Sequence, residues 1–409
     1  MTDTATQPEA LPGQTLPPLR LKKREDRRLR AGHLWVYSNE VDTRATPLTA
    51  FEPGEAVRIE ASNGRPLGTG YVNPHSLIAA RLVSRGLRHV LDRSLLVHRL
   101  KIALALRERL YPQRACRLVH GEGDGLPGLV VDRYGDWLSV QFNTAGMEQV
   151  RGPVLEALQR VLSPRGLVLR NDSPARRQEG LDTAVEVLGE VPDRVSFREG
   201  EVQFETSLVH GQKTGWFFDQ ADNRQRLRRY VQGARVLDLF SYAGGWAITA
   251  LKQGAAEAVC VDSSGDALAQ AMRNAELNGV QPQLSVRQGD AFEVLKALRE
   301  AGERFDVVIC DPPAFIKRRK DLAAGSEAYQ RLNLLAMQMI GRDGFLVSAS
   351  CSHHLPLTDF QRLLQRAARH AGRGLQVLET GRQGADHPVH AAMPETEYLK
   401  ALYCRVLRE

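Results

Sequence analysis

Cys351 sits in Ser350-Cys351-Ser352-His353-His354, directly after the apolar run Phe345-Leu-Val-Ser-Ala-Ser350, whose composition predicts a buried strand. A thiol at a strand end can serve as a nucleophile, and it is needed where the atom to be alkylated is too electron-poor to react alone. C5 of cytosine is such an atom. Thiolate addition at C6 makes C5 enamine-like, and later loss of the C5 proton expels the thiolate. Lys317 and His353 are the nearby bases that could lower the thiol pKa. Cys260, Cys310 and Cys404 fall in apparent strands and, with Cys116, read as small buried apolar residues. The five cysteines form no CxxC pair and share no spacing, so neither a disulfide framework nor a metal site is expected.

A second set of residues lies at the ends of other apparent strands, where open parallel sheets bind their ligands. Asp238 ends one of them and is followed by Ser241-Tyr242-Ala243-Gly244-Gly245, whose glycines allow a tight turn. This is not GxGxxG, and the Asp238 charge would oppose a pyrophosphate at the helix start. Asp262, 24 positions later and followed by Ser263, can accept both hydroxyls of a ribose; Asp290-Ala291 could meet an adenine amine. Together these ask for an adenosyl group with a cationic end and no phosphate, which S-adenosylmethionine meets. In Cys310-Asp311-Pro312-Pro313-Ala314-Phe315 two prolines fix the chain, so the Asp311 carboxylate and the Pro312 carbonyl project rigidly toward a reacting base. An aromatic directly after the prolines would suggest methylation of an exocyclic amine; here Ala314 intervenes.

The elements that must carry these groups follow from the alternation beyond Glu201. Strands at RVLDLF, AVCVD, LSVRQ and DVVICD are separated by helical segments, and further strand candidates follow at FLVSAS, LQVLET and YLKALYCRVL. That rhythm predicts an α/β doubly wound domain over 201–409, with its sheet covered on both faces. A central α+β domain is expected over 87–200, opened by a helix with Leu96, Leu100, Ala103, Leu106 and Leu110 on one face. A β-rich, barrel-like module occupies 19–86, punctuated by Pro53-Gly54, Asn63-Gly64 and Asn73-Pro74, after a Pro-rich disordered tail over 1–18.

The 409 residues are 43% hydrophobic and 25% charged, enough to bury sizeable cores, and the first twenty lack the basic start and apolar stretch of a secretion signal. A cytoplasmic protein is expected. The net charge of +7 is too small to identify a partner, but Arg20–Arg30 holds seven basic and two acidic residues, a cluster suited to phosphates.

The stretches HLWVYSNEV, EGDGLPGLVVDRYG, GQKTGWFFDQADNR, DLFSYAGGWA, DPPAF, SCS, ADHPV and EYLK together resemble the bacterial cytosine-5 methyltransferases of large-subunit ribosomal RNA, from about Leu19 to the end. The resemblance implies a PUA-type RNA-binding module, a Rossmann-like class I methyltransferase domain, 23S ribosomal RNA as partner, and a homodimer. It makes Cys351 the attacking thiol; the rigid Asp-Pro-Pro corner adds Asp311 as the group expected to orient the base. Asp238, Asp262, Asp290 and Asp311 match acidic positions of the family's donor site, and Gly211–Arg224 closes over the donor through Phe218, Gln220 and Arg224. One departure is Ala314, where relatives often carry Lys. Two other readings stay open: methylation of another RNA atom, such as a guanine nitrogen, and an RNA-binding assembly factor whose cofactor site is vestigial.

Overall fold

The structure, a computed structural model, describes residues 16–408. Most of the expected N-terminal tail therefore lies outside the described residues, and Pro18 already opens a strand. Three sheets and a hairpin follow.

The N-terminal module is a five-stranded sheet in the order Pro18–Arg20, Ala56–Glu60, Pro66–Val72, Ala80–Ser84 and Trp35–Val36, the first pair parallel. Its core gathers Leu19, Leu21, Leu29, Val57, Ile59 and Leu82. A second five-stranded sheet runs from Ala115–His120 to Ala184–Gly189. The helices Arg93–Leu110 and Arg151–Leu162 pack against it through Leu96, Leu100, Val154 and Leu158. Of the face expected on the first helix, Leu96, Leu100 and Ala103 are buried, but Leu106 and Leu110 are exposed, since the buried residue of the last turns is Arg107, paired with Asp124.

The third sheet has seven strands, labelled here in chain order with their helices: β1 (Arg235–Leu239), α1 (Gly245–Lys252), β2 (Glu257–Asp262), α2 (Gly265–Leu277), β3 (Leu284–Gln288), α3 (Ala291–Glu300), β4 (Phe305–Cys310), α4 (Leu322–Met339), β5 (Ile340–Ser350), α5 (Leu357–Ala371), β6 (Arg373–Arg382) and β7 (Lys400–Arg408). Their order is β3-β2-β1-β4-β5-β7-β6. β7 alone runs antiparallel, inserted between β5 and β6. The two-residue period of a strand divides the side chains between two cores. Val236, Val307, Ile309 and Val347 face one, with α1 and α2; Leu237, Leu239, Val308 and Leu346 face the other, with α4 and α5. Strand direction thus brings the ends of β1, β2, β4 and β5 to a common edge, with the order reversing between β1 and β4.

The hairpin Val195–Glu199/Val202–Thr206 spans the division expected between residues 200 and 201. It packs as a unit on α2, whose Asn274 and Asn278 side-chain oxygens accept from the Glu205 and Gln203 amides at 2.9 and 3.0 Å. Its Phe197 and Phe204 belong to the same core as Trp216 and Val236. No described helix is long and apolar enough to cross a membrane.

Candidate active site

The turn after β1 is strained and tightly held. Phe240 and Tyr242 adopt left-handed backbone, with φ of +61° and +47°, and Gly244 follows at +79°. Non-glycine residues keep such angles only where neighbours over-determine them. Here the Tyr242 amide donates to Asp262 Oδ2 at 2.9 Å, the Ser241 amide to the Val261 carbonyl at 3.0 Å, and Asn274 Nδ2 to the Ala243 carbonyl at 3.1 Å. Asp238 is fully buried and accepts from the Ala247 amide at 3.1 Å. Asp262 Oδ1 accepts from the Ser264 amide, which fixes Ser263 between them. Asp290 is exposed and caps α3, accepting from the Phe292 and Glu293 amides at 2.9 and 3.3 Å, with Ala291 as the first helical residue.

At the end of β4, Asp311 Oδ1 accepts from Gln220 Nε2 and Oδ2 from Trp246 Nε1, both at 2.9 Å. Gln220 is in turn held through its Oε1 by Asn223 at 2.7 Å. Pro312 is buried at the foot of this corner. The corner is tied to Cys351, because Ser352 Oγ accepts from the Ile316 amide at 3.2 Å and lies 3.0 Å from the Tyr329 hydroxyl. Lys400 Nζ donates to the Ser352 carbonyl at 2.7 Å. Of the five cysteines Cys351 is half-buried and the other four are buried.

A family model described as S-adenosylmethionine-dependent methyltransferase matches residues 114–402, and one described as a PUA-like domain matches residues 19–85. The ribosomal RNA large subunit methyltransferase I of Erwinia tasmaniensis is 38% identical over 396 residues, covering 95% of this chain and 98% of that protein. The Escherichia coli protein of the same name is 36% identical over 393 residues, with 95% and 98% covered. This chain belongs to that methyltransferase family. The solved structure of SMU.776 complexed with SAH shares its fold, with a TM-score of 0.82 at 20% identity over 95% of this chain and 100% of that one.

The methyltransferase depends on S-adenosylmethionine, and the residues present fit that group. Asp238 Oδ1 and Ser241 Oγ are buried without a hydrogen-bond partner. Burial raises the Asp238 carboxyl well above the usual range, the Ala247 amide opposing and the neighbouring Asp311 and Asp262 charges adding. Such a cluster is short of a cationic donor, which an α-amino group supplies.

Two expected donor contacts are placed otherwise. Arg224 is buried against Gly245, but its guanidinium is committed to Glu199 in a two-pronged pair, with Nε to Oε1 at 2.6 Å and Nη2 also on the Phe217 carbonyl at 2.9 Å. Phe218 packs its ring on Tyr134 and Phe197. In this structure Arg224 supports the turn from behind, held there by the hairpin residue Glu199, while Phe218 belongs to the aromatic core and borders a cavity lined by Lys213 and Asp219. Trp216 joins them, donating to Glu199 at 3.0 Å.

Burial pushes the Cys351 thiol up to about 11; Lys213 opposes this, while Asp311 and Asp219 add to it. Two cations bear on the thiol: Lys213, and Lys400, whose own pKa burial lowers to about 8 while the Cys351 charge opposes this. His353 is exposed and contacts the Glu397 carbonyl, and Lys317 is exposed. Lys213, Asp219, Trp246 and Lys400 are not among the expected site residues, although each lies in one of the stretches GQKTGWFFDQADNR, DLFSYAGGWA and EYLK that carry the resemblance.

In the basic segment, Arg20 pairs with Glu60, Arg28 with Glu40 and Arg30 with Asp26. Lys23, Arg24 and Arg27 are exposed and form no ion pair among the described residues.

Proposed function

We propose that this methyltransferase modifies C5 of a cytosine in 23S ribosomal RNA through a covalent adduct between Cys351 and C6. The observation that carries the reading is the half-buried Cys351 thiol on a loop hydrogen-bonded to the rigid Asp311-Pro312-Pro313 corner. The names of the relatives, which specify large-subunit ribosomal RNA, supply the substrate class.

Asp238, Ser241, Tyr242, Ala243, Gly244 and Gly245 would hold the amino-acid end of the donor, Asp262 and Ser263 its ribose, and Asp290 and Ala291 its adenine side, while Pro312 would lie with Asp311 where the donor meets the reacting base. When bound, S-adenosylmethionine supplies an electrophilic methyl group. Cys351 loses its proton and adds to C6, which moves electron density to C5. Once C5 carries the methyl group, loss of the C5 proton restores the double bond and returns the electron pair to sulfur. Lys213 favours the thiolate over the thiol. Gln220 and Trp246 hold Asp311 in one orientation beside the base. The base must leave its stack to reach a thiol inside this crevice.

The test is incubation of purified protein with labelled S-adenosylmethionine and unmodified 23S RNA, followed by nucleoside analysis and mapping. 5-Methylcytosine at one position supports the reading. Label on a guanine nitrogen assigns a different reaction, and no incorporation despite cofactor binding overturns it.

A further inference from the structure

Between the central domain and the methyltransferase domain lies a cavity of about 520 Å³, walled by Phe217, Tyr398, His120, Arg117, Lys213 and Asp219. A second cavity of about 280 Å³ shares His120, Val130 and Tyr398 with it and extends to Trp35 and Arg81 of the N-terminal module. The two adjoin along these shared residues, so one crevice runs from the N-terminal module to Lys213 and Asp219. Tyr398 lies two residues before Lys400, whose ammonium rests on the carbonyl beside Cys351.

Asp219 is the informative wall residue. It is 8% exposed, and its Oδ2 accepts from the Tyr398 hydroxyl at 2.7 Å. Its Oδ1 is buried and has no hydrogen-bond partner. An orphaned carboxylate oxygen beside a cavity is costly unless a ligand donates to it. Asp311 differs, since each of its oxygens already receives a side-chain N–H. Burial tends to raise the Asp219 carboxyl, but His387, Lys213, the Tyr398 hydroxyl and Arg117 outweigh it and hold the group below its usual range, as an acceptor only. Asp219 directly precedes Gln220, which donates to Asp311, and its Tyr398 partner lies two residues before Lys400, which donates to the Ser352 carbonyl, so the acceptor borders the corner that carries Asp311 and Cys351.

We propose that this cavity receives the flipped target base and that Asp219 accepts a hydrogen bond from its exocyclic amine, making Asp219 the residue that distinguishes cytosine from uracil. The proposal rests on the cytosine reading above and names its specificity group. Uracil presents a carbonyl at the same ring position, and two acceptors facing each other in a buried site repel. A site built to receive a donor rejects an analogue that lacks it far more strongly than an apolar pocket rejects a changed shape.

The test uses 23S transcripts carrying either cytidine or uridine at the mapped position, with full-length wild-type and Asp219→Asn enzymes. Wild type is expected to favour cytidine by at least about 100-fold. In D219N the amide can donate to the uracil carbonyl, so the preference should shrink at least about tenfold, with S-adenosylmethionine affinity unchanged within about twofold. An unchanged preference in active D219N overturns the assignment and leaves the cytosine reading intact. A wild type that methylates no cytosine overturns that reading and this proposal with it. Should D219N fail to fold, wild type is assayed on transcripts bearing N4,N4-dimethylcytidine, which has no N–H to donate. A fall of at least about tenfold supports the proposal, and an undiminished rate overturns it.

Discussion

The Ile316 amide donates to the Ser352 hydroxyl at 3.2 Å, which joins the segment after β4 to the loop carrying Cys351. The thiol and the Asp311 corner are thereby fixed relative to each other, although 40 residues separate them in the chain. Preorganisation of this kind keeps a nucleophile and an orienting group in reacting geometry without help from the substrate.

The thiol should respond to pH as a buried one. The thiolate is the form that alkylates, and burial places the pKa at about 11, above its ordinary value of 9.0. Inactivation by iodoacetamide should therefore accelerate about tenfold per pH unit between roughly pH 7 and 10. Lys213→Met removes the opposing cation, raises the pKa further, and should slow inactivation at fixed pH by at least about threefold. An unchanged rate in K213M would show that Lys213 does not act on Cys351.

The Glu199–Arg224 pair should prove structural. Glu199→Gln leaves a buried guanidinium without its counter-charge, a loss of about 3–5 kcal/mol. Because Arg224 packs against Gly245, the same change should weaken S-adenosylmethionine binding by loosening the turn. Thermal melting with and without the cofactor measures both. A melting temperature equal to that of wild type would refute the structural role.

The exposed bases of the N-terminal module should contribute to RNA affinity through phosphates alone. Replacing Lys23, Arg24 and Arg27 together by Ala should flatten the slope of log affinity against log salt by about 2 to 3, with the methylated position unchanged. A slope equal to that of wild type would place the RNA elsewhere.

The sequence made the scaffold of the site legible because its signals are local. Asp238, Asp262 and Asp311 lie at the ends of apolar runs, Cys351 follows another, and Asp290 follows a polar strand, so chain direction alone brings them to one edge. It could not show which acid already has its partners. Asp311 is occupied by Gln220 and Trp246, and Asp290 by its own helix, whereas Asp219 keeps an unpaired oxygen. Arg224 shows the same limit: its motif lies close to the turn, but its counter-charge comes from a hairpin 25 residues earlier. The division at 200/201 cuts through a hairpin bound to α2, whose pairing joins residues on both sides of it. Contacts across elements, such as Gln220 with Asp311, leave no periodic trace along the chain.

The covalent route is tested most directly with 23S transcripts containing 5-fluorocytidine, because fluorine at C5 blocks the elimination that frees the enzyme. With S-adenosylmethionine present, wild type should accumulate a protein–RNA adduct that survives denaturation, with the linked peptide mapping to Cys351; Cys351→Ala should bind the cofactor and form none. A C351A enzyme that still produces 5-methylcytosine at the wild-type rate would contradict the account.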